Sequence, residues 1–270
     1  MTGLLLAKLV TTPLLMALVT WAARRLGPTA SGILVGLPLT SGPVLVFLFL
    51  QEGPAFAARA AVGTLLGLIS VTAFSVGYGF ASARSPWPVA LAVGVVAYGI
   101  STWDLRRLSP APVQALGVVL LVLLLSLVAL PDPGAVGRPV MPSGALPLRM
   151  VVATAVVVSV TALAQALGPG LSGLLAPIPV FTAIVAVLSH RSGGRTVVVK
   201  TLRGVIVGNL GCAAFFAVVA SELGRRPAGV VFLAASLAGL VLAGLSFLVM
   251  RRREERPGDA PPSGGSVGSV

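Results

Sequence analysis

The chain has 270 residues, of which 56% are hydrophobic and only 10% charged, with a mean hydropathy of +1.03. Soluble domains carry about 25% charged residues and roughly 45–50% apolar ones, so a soluble globular fold is excluded, because a core of this size cannot hide the excess apolar surface. The formal net charge is +12, yet the basic residues stand singly and in pairs between apolar runs, which suits lipid head groups rather than nucleic acid.

A helix needs about 20 apolar residues to cross a hydrocarbon layer of roughly 30 Å. Nine stretches qualify in chain order: 3–23, 30–50, 57–80, 87–103, 110–130, 148–167, 171–189, 198–220 and 228–250. The fifth is the cleanest, with Ala115 to Leu130 interrupted only by Ser126. The longest connection, 131–147, is 17 residues, too short for a soluble domain. The alternation of apolar and polar residues that marks barrel strands is not found. The expected fold is therefore all-α, a polytopic membrane bundle of about nine helices over residues 1–250. Residues 251–270, rich in Pro, Gly and Ser, read as a disordered cytoplasmic tail. The N-terminus lacks the basic segment and small-residue cleavage pattern of a removable signal.

Basic residues set orientation. With nine crossings one face holds 13 of them (Arg24, Arg25, Arg84, Arg138, Arg149, Arg191, Arg195, Lys200, Arg203, Arg251, Arg252, Arg253 and Arg256). The opposite face holds six: Lys8, Arg59, Arg106, Arg107, Arg225 and Arg226. The richer face is expected to be cytoplasmic, with the N-terminus outside and the C-terminus inside a cell membrane.

Sliding the chain against itself by 141 residues aligns 8–97 with 149–238 without a gap. About 22 of those positions are identical, where this composition gives roughly one in ten by chance. The strongest stretch pairs Leu26, Gly27, Pro28, Ser31, Gly32, Leu34 and Pro38 with Leu167, Gly168, Pro169, Ser172, Gly173, Leu175 and Pro179. Gly63, Gly67, Ala73, Phe74, Arg84 and Pro86 match Gly204, Gly208, Ala214, Phe215, Arg225 and Pro227. Five crossings, an odd number, separate the starts of the two units, so the copies are expected to face opposite ways across the membrane. Repeat 1 covers 8–130 and repeat 2 covers 149–250; the second lacks a fifth helix, giving five plus four. This arrangement resembles the small bacterial secondary transporters built from inverted five-helix halves, of which the drug/metabolite transporter superfamily is one example. The resemblance is architectural and implies a transporter bundle; it assigns no residue a role.

The second and seventh crossings carry matched interruptions. Gly36-Leu37-Pro38-Leu39-Thr40-Ser41-Gly42-Pro43 faces Ala176-Pro177-Ile178-Pro179-Val180-Phe181-Thr182 in the alignment. An interior proline removes a helical hydrogen bond, and the freed backbone groups are tolerated only beside protein or a water-filled cavity. Paired interruptions in two halves are the best pointer to a transporter site. Pro38, Thr40, Ser41, Pro179, Thr182 and Asn209 are therefore the candidate substrate-binding residues, and Pro38 and Pro179 are expected near one another at mid-membrane. The glycine pairs Gly63/Gly67 and Gly204/Gly208 allow close helix approach and should pack against the interrupted helices.

Lys8 and Arg59 have Arg149 and Lys200 as repeat counterparts, a symmetric set that either gates an anionic solute or snorkels to the interface. Glu52 is the preferred carboxylate for proton or sodium coupling, and His190 is the chain's single imidazole. The match of residues 168–173 to a dinucleotide-binding pattern fails because it joins two membrane helices; a Gly-x-Ser-x-Gly match at 264–268 fails because it lies in the tail. With one His, one Cys212 and no buried acid pair, no catalytic triad, metal site or cofactor is expected. The favoured function is a secondary transporter or exporter of a small solute, with the lipid bilayer as its other partner. The alternative is a non-transporting scaffold or lipid-interacting subunit.

Overall fold

The computed structural model describes residues 10, 14, 33, 37, 38, 41–130 and 145–254. The regular elements are helices: α1 (Ser41–Glu52), α2 (Pro54–Ala81), α3 (Trp87–Leu105), α4 (Pro112–Ala129), α5 (Ala145–Ala162), α6 (Ala164–Leu175), α7 (Val180–Glu222) and α8 (Ala228–Glu254). No strand occurs among the described residues. Five helical stretches are long and apolar enough to cross a bilayer: Pro54–Ala81, Trp87–Leu105, Pro112–Ala129, Ala164–Glu222 and Ala228–Val249. Apart from Val10 and Leu14, the expected first crossing lies outside the described residues, as does 255–270 of the tail. Arg251 to Glu254 continue α8 rather than starting the tail.

Two expected connections shrink to single glycines. The stretches expected as the sixth and seventh crossings meet at Gly168 (φ 71°), and those expected as the seventh and eighth at Gly194 (φ 64°). Only glycine reaches positive φ without a Cβ clash, so one residue redirects the chain where a loop was expected. Pro169, lacking an N–H, follows the first break without leaving a donor unpaired.

Helix boundaries follow the repeat. Shifted by 141, residues 54–81 become 195–222, the part of α7 that follows Gly194. The start of α3, Trp87, becomes Ala228, the start of α8, and Gly53 (φ 85°) becomes Gly194. The contacts also fix direction. Gln165 Nε2 donates to Glu52 Oε2 (3.4 Å) beside the start of α2. Near its far end, Tyr78 Oη lies 3.3 Å from His190 Nδ1, just before the Gly194 break. Residues 195–222 therefore begin where α2 ends and run back antiparallel to it.

Packing centres on α2 and α7, with α2 pressed backbone-to-backbone on α6. A Cβ at Gly63 would collide with the Gly170 carbonyl oxygen, one at Gly67 with Leu174 O, and one at Gly173 with Ala60 O. Thr64 Oγ1 donates to both Ala60 O (3.0 Å) and Gly173 O (3.1 Å), tying the two helices. The first glycine pair thus packs against the interrupted helix as expected. For the second pair, Gly204 and Gly208 are buried, and Ile33 of the other interrupted stretch packs on Val207 beside Gly208. Arg203 anchors α4: its Nη1 donates to Leu127 O (2.7 Å) and to Leu130 O at the helix C-terminus. Outward faces are apolar, among them Val96 and Ile100 on α3, Leu125 and Val128 on α4, and Leu240 and Val241 on α8, as a hydrocarbon surround requires.

Gly173→Ala should lose about 1–3 kcal/mol through overpacking, read as a lower melting temperature in detergent. Gly117→Ala, where a Cβ meets nothing within 4 Å, should gain about 0.5–1 kcal/mol from the better helix former.

Candidate functional site

The interrupted stretches frame a small cavity at the middle of the bundle. Leu37 and Pro38 form a bend before α1, whose first residue is Ser41. In the second repeat α6 ends at Leu175, and residues 176–179 turn before α7 starts at Val180. The restarts are tied by Gly42 N–H to Pro38 O (2.8 Å) and Ala183 N–H to Pro179 O (2.7 Å). At both restarts the proline carbonyl is taken by an N–H one turn on, as a low-dielectric surround demands.

The cavity holds about 30 Å³, roughly the share of one liquid water. Leu37, Ser41, Leu68 and Val71 line it from the first repeat; Pro177, Ile178, Phe181, Thr182, Asn209 and Cys212 line it from the second. Four of these pairs are repeat partners: Leu37 with Ile178, Ser41 with Thr182, Leu68 with Asn209, and Val71 with Cys212. Leu68 and Asn209 lie midway along their 28-residue helical stretches, so the cavity sits at mid-depth.

Its polar groups are two hydroxyls, an amide and a thiol, all buried: Ser41, Thr182, Asn209 and Cys212 are 2–4% exposed. Ser41 and Cys212 line the cavity side by side. Asn209 Nδ2 is buried with no partner. A buried donor without a partner costs about 1–3 kcal/mol. None of the described lining residues is charged. Among the described residues there is also no cluster of three metal-ligating side chains.

Of the six candidate binding residues, Ser41, Thr182 and Asn209 line this cavity. Pro38 is half-buried and Pro179 buried; they flank it, and their neighbours Leu37 and Ile178 reach it. Thr40 lies outside the described residues, as does Lys8. Arg149 stands in α5. Arg59 is exposed at the start of α2 and Lys200 is buried in α7; neither lines the central cavity. Glu52 ends α1, half-buried, accepting from Gln165. His190 packs edge-on against Tyr78 (ring centroids 5.9 Å) near the opposite end of the bundle.

Sequence reasoning missed Cys212, Leu68 and Phe181. The signal for Cys212 was present: it lies three residues after Asn209, hence on the same helix face. No family model, curated protein or solved structure matches the chain.

Asn209→Leu should keep or raise thermal stability in detergent, because it removes an unpaired buried donor. A loss of about 1–3 kcal/mol would instead make the amide part of the structural framework.

Proposed function

We propose that the protein is a secondary carrier for a small solute, working by alternating access between two inverted repeats around the central cavity. The observation that carries this reading is the cavity's lining by repeat-related pairs from both halves. Sites between inverted repeats near mid-membrane, built from broken helices, are the recurring arrangement of such carriers. The antiparallel course of α2 and residues 195–222 supports the inversion. So does the coincidence of helix boundaries at the 141-residue offset. The distribution of basic residues supports a cell-membrane location with the C-terminus inside.

The lining favours a small uncharged or weakly polar solute. An anionic one finds no counter-charge among the described lining residues, and burying an unpaired charge is costly. Lys200 and Arg59 then act at the interfaces, and Glu52, tied to Gln165, is the group for a coupling proton or sodium ion.

The second reading, a non-transporting scaffold, is favoured by the cavity's small size, since packed-shut kinks need no opening. Cys212 separates the two. As the single cysteine, lining the cavity at 2% exposure, it reacts with a small thiol reagent only if the cavity opens. A carrier should be labelled in proteoliposomes at a rate that its solute alters, and labelling should stop uptake found by a solute screen with and without a pH gradient. Asn209→Leu at equal membrane density should lower that uptake about tenfold or more, the effect of a lost bond worth roughly 1.4 kcal/mol. A thiol that stays unreactive, together with no uptake of any solute, would favour the scaffold.

A further inference from the structure

The end of the bundle where α2 begins holds a larger cavity of about 290 Å³. Arg59 and Arg106 give it a basic side; Val62, Leu66, Leu105 and Leu174 give it an apolar one. The two arginines arrive from different helices, Arg59 near the start of α2 and Arg106 at the end of α3. The Arg106 guanidinium carbon lies over the Trp103 ring, 3.2 Å from its centre. Neither arginine is paired with a carboxylate among the described residues, where the ion pair recorded joins Arg226 to Glu222. Two cations thus border one apolar-walled recess.

The opposite end shows what such a recess accepts. Shifted by 141, Val62 becomes Arg203, Leu66 becomes Val207 and Arg106 becomes Phe247. There the last turn of α4 fills the equivalent place. Leu127 and Phe247 both pack against the cluster that holds Val207, and Arg203 takes the carbonyls of Leu127 and Leu130. The filled recess thus pairs apolar side chains with a guanidinium that meets partial negative charge. The first-repeat recess keeps apolar residues at Val62, Leu66 and Leu174 and faces them with two exposed guanidinium groups, Arg59 and Arg106, whose counterparts are Lys200, buried in α7, and the apolar Phe247. A helix C-terminus carries only about half an elementary charge, which one guanidinium already answers at Arg203. Two guanidinium groups call for a full negative charge joined to an apolar stem.

We propose that this recess binds an anionic phospholipid, its phosphodiester on Arg59 and Arg106 and an acyl chain along Val62, Leu66 and Leu174. Guanidinium groups bind phosphate oxygens by charge-assisted, often bidentate bonds, and basic pockets between membrane helices recognise lipid head groups. The comparison of the two ends rests on the inverted-repeat reading; the cavity and its two arginines do not.

The test is a titration of the full-length protein in uncharged detergent, followed by native mass spectrometry. Its probes are dioleoylphosphatidylglycerol, dioleoylglycerol (tails without phosphate) and inorganic phosphate (phosphate without tails). Saturable binding of phosphatidylglycerol is expected, weakened about tenfold or more in the Arg59→Gln/Arg106→Gln double variant and unchanged in Arg84→Gln at the other end. Dioleoylglycerol should bind weakly, and inorganic phosphate should not displace the lipid. Equal affinity in a double variant that melts like wild type would overturn the proposal. So would displacement by inorganic phosphate alone, or a co-purifying polypeptide that occupies the recess. If the double variant folds poorly, photoactivatable phosphatidylglycerol on the wild type decides: crosslinks within 59–66 or 105–110 support the site, and crosslinks confined elsewhere remove it. No uptake step enters these measurements, so their failure and the failure of the carrier reading are separately visible.

Discussion

Hydrocarbon offers no hydrogen bonds, and that constraint shapes this bundle more than any side-chain preference. A backbone group freed inside the membrane must be answered by protein. The chain breaks its helices at residues 37–38 and 176–179, so those segments have to be covered closely. For the second break the cover is α2, whose Gly63 and Gly67 bring two backbones into contact and whose Thr64 hydroxyl reaches the Gly173 carbonyl. Had α2 carried large side chains there, the interrupted helix would stand too far off for its carbonyls to be shielded. The small residues of one helix and the prolines of the other therefore form one device.

The class of the fold was legible because hydropathy speaks directly to length and to lipid. Crossings three, four and five were placed within three residues of the helix ends found for α2, α3 and α4. The repeat offset was legible too, and it anticipated the shared boundaries of α2 and residues 195–222. What escaped was the form of the connections. A run such as Ser192-Gly193-Gly194-Arg195 reads as a loop by composition, yet Gly194 turns the chain alone and helix continues on both sides. Hydropathy carries no information on φ. At the site, the hydroxyls and Asn209 announced themselves as polar residues in apolar surroundings. Leu68, Phe181 and Cys212 did not, because a lining residue without strong polarity resembles any packed one, and only the spatial pairing of the repeats reveals it.

The two repeats contribute unequal chemistry to the same cavity. Where the first presents Leu68 and Val71, the second presents Asn209 and Cys212. The frame is duplicated and the polar functions are not, so on the carrier reading the two halves would offer a solute different contacts. Such asymmetry is the means by which a repeated scaffold acquires selectivity without new architecture.

Arg203 carries a further consequence, for the energetics of any rocking motion between the halves. Perfectly equivalent repeats would exchange roles at no net cost, leaving two mirror-related states equally populated. Here the end of α4 is tied to Arg203 at one end of the bundle. Each hydrogen bond to a charged group contributes roughly 1.5–3 kcal/mol, enough to bias a two-state equilibrium about tenfold to a hundredfold. If the halves rock as proposed, parting α4 from Arg203 costs these bonds, and the motion is uphill at that end. The two ends of the bundle thus differ in how firmly they are fastened, Arg203 holding the end of α4 at one of them.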